Sequence, residues 1–136
     1  MTKLGLVSGA ILLAAGSTAF ADELSVVCSA EQDWCDLMVA AFEGENPDTD
    51  VLMVRKSTGE TLAQVRAEAG NSKIDVWWGG TGDPHLIAAE EGLTQVSGVD
   101  TSELLGWAQN MSEISNGKTI GIYAGALGIA YNSEIL

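Results

Sequence analysis

An α/β fold with a mostly parallel sheet and helices on both faces is what this sequence predicts. Three observations predict it. Short apolar runs of strand length alternate with longer stretches of helical periodicity. Helix-start signals stand just beyond the second and third of those runs. Hydroxyl- and glycine-bearing turns join the ends of the runs to the helices, as expected where a ligand meets strand ends.

The elements follow in order. Leu24 to Cys28 (Leu-Ser-Val-Val-Cys) reads as a short buried strand. Asp33 to Glu45 reads as a helix, because Trp34, Leu37, Met38, Ala41 and Phe42 share one face at helical spacing. Asn46-Pro47-Asp48 ends it. Val51 to Val54 is the second strand. Ser57-Thr58-Gly59-Glu60 has capping-box spacing, a hydroxyl at the N-cap and a carboxylate three residues on. The helix it opens carries Leu62, Val65 and Ala69 and stops at Gly70-Asn71. Ile74 to Trp78 is the third strand, followed by the tight loop Gly79-Gly80-Thr81-Gly82. Asp83-Pro84 predicts the next helix start, with Asp as N-cap and Pro at the first helical position. That helix holds Leu86, Ile87 and Ala89 and ends at Gly92. Asp100 and Glu103 predict a capped turn, with Leu104, Leu105 and Trp107 packing inward. Lys118 to Tyr123 and Ala126 to Tyr131 read as two further strands, the second deep in the sheet. Ser133 to Leu136 reads as the start of a helix.

Residues 1–21 are read as an export signal rather than as fold. Lys3 is followed by an apolar core from Leu4 to Ala15, about a dozen residues and too short to span a bilayer comfortably. Ala19-Phe20-Ala21 has the form of a signal-peptidase site, so the cut is placed after Ala21 and the mature chain starts at Asp22. The alternative is an anchor that stays attached. No cysteine stands at the cut, so a lipid anchor is not indicated. Residues 22–136, about 115 in number, suffice for one domain with a core.

The chain carries 6 basic and 19 acidic residues, a net charge of −13. Losing Lys3 with the signal makes the mature part slightly more acidic still. Nucleic acid and anionic membrane surfaces are poor partners for such a chain. The acids are scattered, which favours solubility as their role. Cys28 and Cys35 are the only cysteines, and in an oxidising compartment an even pair reads as a disulfide. Closing so short a loop contributes roughly 2–3 kcal/mol in the chain-entropy view. A zinc site is the weaker reading without a nearby histidine, and the spacing excludes a redox C-x-x-C pair.

Three turns are expected to meet beyond the carboxyl ends of the strands: Ser29 to Asp33, Lys56 to Gly59, and Gly79 to Asp83. Each leads into a helix N-terminus, whose free N–H groups and positive dipole end suit an anion. Ser29, Ser57, Thr58 and Thr81 add hydroxyls; Gly59, Gly79, Gly80 and Gly82 let a ligand approach the backbone. Asp83 either faces a cationic group on the ligand or only caps its helix. His85, the sole histidine, is either a contact at the cleft or structural. Ser57 can cap and bind at once. Arg55 and Lys56 either offset ligand charge or sit solvated at the rim. Of Trp77 and Trp78, at most one can face the cleft side. Gly79 to Gly82 is not a P-loop, because no Gly-Lys-Ser/Thr follows. No nucleophile–base–orienter set emerges, so no enzyme is indicated. Asp83 and His85 fall short of a metal set, so neither metal nor cofactor is expected.

Several motifs in order carry a family resemblance. They are Val27-Cys28-Ser29 through Trp34-Cys35, Val54-Arg55-Lys56-Ser57-Thr58-Gly59-Glu60-Thr61-Leu62-Ala63, and Asp75-Val76-Trp77-Trp78-Gly79-Gly80-Thr81-Gly82-Asp83. Ala88-Ala89-Glu90-Glu91-Gly92-Leu93 and Gly128-Ile129-Ala130-Tyr131-Asn132 fit the same pattern. The chain resembles the periplasmic type II solute-binding proteins of ABC importers, in the branch often labelled iron(III) transporter binding proteins. The resemblance implies a periplasmic protein of two α/β lobes with solute trapped between them. It also implies a permease and a cytoplasmic ATPase as partners, with docking to the inner-membrane permease only. Such proteins are about twice this length or more, so residues 22–136 are expected to be an incomplete N-terminal lobe. Ferric-binding relatives place a histidine after the first strand and a glutamate after the third, with a tyrosine pair from the second lobe. Here the first two positions read Ala30-Glu31-Gln32 and Gly79-Gly80-Thr81. Relatives with hydroxyl- and glycine-rich loops bind phosphorylated sugars or phosphonates, so the resemblance implies a small anion of that type as the solute. Ferric iron is the alternative, and a secreted redox protein or enzyme using the cysteine pair is the alternative of another class.

Overall fold

The computed structural model describes residues 22–126 and 128–135. The expected export signal, with its cut expected after Ala21, lies outside the described residues, as do Leu127 and Leu136. Among the described residues, three strands and four helices follow in the order β1 (Asp22–Cys28), α1 (Gln32–Glu45), β2 (Thr49–Arg55), α2 (Thr58–Ala67), β3 (Val76–Trp78), α3 (Gly82–Glu90) and α4 (Gly106–Ile114). The strands form one parallel sheet in the order β2-β1-β3. β1 pairs with β2 along its full length, from Asp22 opposite Thr49 to Cys28 opposite Arg55. β3 pairs only with Val26 to Cys28, so all three strands end at one level. That shared end brings the three following turns together.

β3 is two residues shorter than the apolar run Ile74 to Trp78. Asp75 explains the difference: its Oδ2 accepts the Ser25 N–H at 2.9 Å, while its own N–H donates to the Ser25 carbonyl at 2.9 Å. A side-chain oxygen replaces a backbone carbonyl there, and the ladder starts one residue later.

Helices cover both faces, as the alternation predicts. On one face, Cys35, Met38, Val39 and Phe42 of α1 lie over Leu24, Val26, Met53 and Trp78. On the other, Thr61 of α2 reaches Ser29 and His85 of α3 stacks on Trp77. The inward stripe of α1 differs from the expected one: Leu37 is 64 % exposed. The disulfide between Cys28 and Cys35, with Cα atoms 6.0 Å apart, fixes the rotation. With Cys35 tied to the end of β1 and buried, the positions three, four and seven residues on face the sheet, and Leu37 turns outward. Met53 and Trp78 pack against this sulfur-bearing core.

Four further expectations change. α3 starts at Gly82 with Thr81 in the N-cap position, so Asp83 is not the cap and Pro84 lies within the first turn. Proline is tolerated there because its missing N–H is one that the helix leaves unpaired anyway. Asp100 does hold a turn, accepting the Ser102 N–H at 2.9 Å, but α4 follows it, with Ala108 buried and Leu105 exposed. Residues 118–123 and 126–131 are not strands among the described residues, and Ile129 is 95 % exposed. A strand exists through its ladder, and among the described residues no ladder includes these runs. The turn at 133–135 takes the place of the helix start there.

Residues 118–123 are positioned by other means. Lys118 Nζ donates to the Ala89 carbonyl at the end of α3, at 3.0 Å, a favourable place for a cation. Gly121 lies so close to α4 that a Cβ there would fall 2.7 Å from the Trp107 ring and 2.8 Å from Ala108 Cα. Arg66 of α2 and Glu91 beyond α3 form a two-pronged ion pair, half exposed and therefore worth little to stability.

Candidate functional site at the strand ends

The turns after β1, β2 and β3 converge. Ser29 N–H donates to the Trp78 carbonyl at 2.8 Å, and Lys56 N–H to the Cys28 carbonyl at 3.0 Å, so the ladder runs on one step into the turns. Gly79 and Gly80 then take positive φ angles of 76° and 91°, which turn the chain back over the end of β1. A Cβ on Gly80 would sit 2.6 Å from Thr58 Oγ1 and 2.8 Å from Ser29 Cβ. Thr81 N–H donates to Thr58 Oγ1 at 3.3 Å. Ser29, Thr58, Gly80 and Thr81 therefore meet at one place, as their positions in the sequence predict.

The hydroxyls are not equally free. Thr61 Oγ1 donates to the Ser57 carbonyl at 3.0 Å, so its contact with Ser29 Oγ at 3.3 Å uses the serine proton. Trp77 Nε1 donates to Ser29 Oγ at 3.0 Å. Ser29 thus spends its proton and one lone pair inside the fold. Ser57 is equally committed: its Oγ donates to Glu60 Oε2 at 2.6 Å and accepts the Glu60 N–H, while its own N–H donates to the same carboxylate. That reciprocal cap holds the Glu60 carboxyl below the usual range, chiefly through the Ser57 side chain and then its backbone. Gly59 is exposed in the first turn of α2, beside this cap. Thr58 Oγ1 accepts from Thr81 and donates to nothing among the described residues. Thr81 and Asp83 are exposed, and α3 has no side-chain cap.

His85 sits behind the loop. Its Nε2 lies 2.8 Å from the Gly79 carbonyl, which can only accept, so Nε2 carries the proton. The ring stacks on Trp77 at 3.9 Å between centroids. Desolvation lowers its pKa from the ordinary histidine range, partly offset by the bond to Gly79. Trp77 thus takes the loop side, whereas Trp78 meets Trp34 edge-on at 4.9 Å on the α1 side. Arg55 Nε donates to the Ala30 carbonyl at 3.0 Å and Lys56 Nζ to Gln64 Oε1 at 2.5 Å, which draws both cations toward the frame.

Two residues escaped the sequence reading. Thr61 is fully buried and ties α2 to Ser29; its place one turn after the N-cap was the available signal. Tyr123 sends its hydroxyl to Gly80, accepting the Gly80 N–H at 2.6 Å and donating to the Gly80 carbonyl at 3.0 Å, across 43 residues of chain. No local pattern announces that contact. A groove of about 860 Å³ runs beside β3 behind the loop, with Trp77, His85, Trp107, Met111 and Tyr123 among its walls.

The arrangement offers an open helix N-terminus, a hydroxyl proton and backbone N–H groups at one level, donors suited to an oxyanion. Among the described residues no group of three or more His, Cys, Asp or Glu is gathered to hold a metal. Among them, too, no helix is long and apolar enough to cross a membrane.

No family model matches the chain. A Haemophilus influenzae protein described as uncharacterized is 35% identical over 140 residues, covering 98% of this chain and 40% of that protein. The chain thus spans two fifths of that relative. Among solved structures it is similar to the periplasmic binding protein P5PA, with a TM-score of 0.64, 25% identity, and coverage of 71% of this chain and 31% of the other. It is also similar to the periplasmic binding protein AfuA from Actinobacillus pleuropneumoniae, described with exogenous fructose-6-phosphate bound. There the TM-score is 0.53 and the identity 36%, over 55% of this chain and 23% of the other. The class this defines is an α/β unit shared with periplasmic binding proteins, matching a part of their chains consistent with one lobe.

Proposed function

We propose that this chain is the N-terminal lobe of an exported solute-binding protein, the capture subunit of an ABC importer. Its solute is a small anion of the phosphorylated-sugar or phosphonate type. One observation carries the reading: the Gly79–Thr81 loop brings Thr58, Gly80 and the uncapped start of α3 together at the carboxyl ends of three parallel strands. The likeness to AfuA, whose solved structure has exogenous fructose-6-phosphate bound, supports a phosphorylated solute.

In this reading residues 1–21 direct export and are removed after Ala21, which places the protein in the periplasm and keeps Cys28–Cys35 oxidised. Ser29, Ser57, Gly59 and His85 shape and hold the site, while Thr58, Gly80 and Thr81 present donors to the solute. Asp83, exposed in the first turn of α3, is left to meet a cationic or hydroxyl group of the solute. Capture involves no chemistry. A second lobe closes over the solute, and the closed form docks on the permease, which the ATPase drives.

Calorimetric titration with fructose 6-phosphate, an aminophosphonate and ferric citrate tests the reading. Saturable heat with a phosphorylated or phosphonate solute is expected. A response to ferric citrate alone would replace the anion by iron. Turnover that depends on reducing Cys28–Cys35 would replace capture by redox chemistry.

A further inference from the structure

We infer that the Tyr123 hydroxyl is an internal stand-in for a solute oxygen, occupying the Gly80 amide until the solute displaces it. The inference rests on the solute reading above and assigns it a residue that sets affinity.

One hydroxyl both accepts the Gly80 N–H at 2.6 Å and donates to the Gly80 carbonyl at 3.0 Å. It thereby closes both backbone groups of a single residue. That residue is wedged, with Ser29 and Thr58 within 3 Å of where a Cβ would stand. The Gly80 amide is therefore fixed in direction and has one partner, the phenol. Thr81 N–H is turned to Thr58 Oγ1 on the next step, so consecutive amides of the loop are both engaged by side-chain oxygens. An oxyanion is a stronger acceptor for such amides than a neutral phenol.

Tyr123 is free to yield. It is exposed, and it belongs to residues 118–123, which no ladder holds. Its ring packs on Trp34 at 4.8 Å between centroids, and Trp34 is itself partly exposed. Moving the phenol breaks two hydrogen bonds to one glycine and leaves the Trp34–Trp78 contact in place. The closed form thus competes with the solute, and the apparent affinity is the intrinsic affinity reduced to the fraction of molecules with Gly80 open.

Tyr123→Phe keeps the ring on Trp34 and removes only the hydroxyl, so the test uses the full chain with this variant. Amide exchange at Gly80 is expected to be faster in the variant. Affinity for fructose 6-phosphate is expected to rise about three- to tenfold, the share one neutral hydrogen bond commands. The gain should lie in the association rate, with dissociation unchanged. A merely structural role predicts the opposite, a looser loop and faster dissociation. Tryptophan emission gives a second reading on the unmodified chain: saturating solute should change it, and Trp34→Phe should abolish that change. Unchanged or weaker affinity in Tyr123→Phe, or a faster dissociation rate, overturns the inference. If neither protein binds a phosphorylated solute while Gly80 exchange still rises, the clamp stands and the solute reading fails. If exchange is also unchanged, both fail.

Discussion

The N-termini of α2 and α3 stand side by side at the strand ends, yet one is closed and the other open. α2 is sealed by its own residues, with Ser57 and Glu60 capping each other. A solute anion there would meet a carboxylate already in place. α3 begins after Thr81, which makes no side-chain cap, so its first turn and positive dipole end are not closed by its own N-cap side chain. In the proposed function, the α2 start serves stability and the α3 start is the one offered to the solute. Sequence alone suggests anion binding at both; the hydrogen bonds close the α2 start with a capping box and leave the α3 start without a side-chain cap.

Several substitutions would break or sharpen this contrast. The largest effect is expected at the hinge between the two ends. Gly80→Ala places a Cβ 2.6 Å from Thr58 Oγ1 in a residue at φ 91°. A loss of about 2 kcal/mol in denaturant unfolding is expected, together with loss of solute binding. Next, Thr81→Asp gives α3 the carboxylate that α2 already has. Stability should hold or rise slightly, while affinity for fructose 6-phosphate falls by about tenfold or more in calorimetry. A variant that binds as well as the parent would show that the two ends do not differ in function. Ser57→Ala opens the closed end instead. It should cost about 1 kcal/mol in thermal or denaturant unfolding and leave solute affinity within about twofold.

The smallest effect concerns pH. Burial lowers the His85 pKa in the folded chain, so the unfolded chain binds the proton more readily. The contribution of neutral His85 is full above about pH 6.5 and declines as pH falls through the folded value. His85→Gln should flatten that part of the stability profile measured by urea unfolding between neutral and mildly acidic pH. An unchanged slope would show that His85 is not held neutral against Trp77 and Gly79.

Local physics made much of the fold legible. The three parallel strands lie where the apolar runs predict them, and the capping box at Ser57 reads directly as a helix start. Elements shifted where a non-local bond chose for them. The disulfide turns Cys35 inward and so moves Leu37 of α1 outward, which periodicity alone cannot decide. Thr81 rather than Asp83 heads α3, because the two left-handed glycines end at Gly80 and the extended backbone of Thr81 leads straight into helical geometry. The runs at 118–123 and 126–131 have strand composition, but composition supplies no ladder. α4 was missed although Trp107, Ala108 and Met111 have helical spacing, because the adjacent Leu104-Leu105 blurs the stripe. At the site, Ser29, Thr58, Gly80 and Thr81 were legible because each follows a strand. Tyr123 was not, since its partner lies 43 residues away.

The contrast between the two helix starts is tested most directly by following backbone amides during a titration with fructose 6-phosphate. The expected result is saturable shifts at Gly80, Thr81, Gly82 and Asp83, with Ser57 to Thr61 nearly still. Shifts confined to the α2 start, or none at either end under saturating solute, would contradict it.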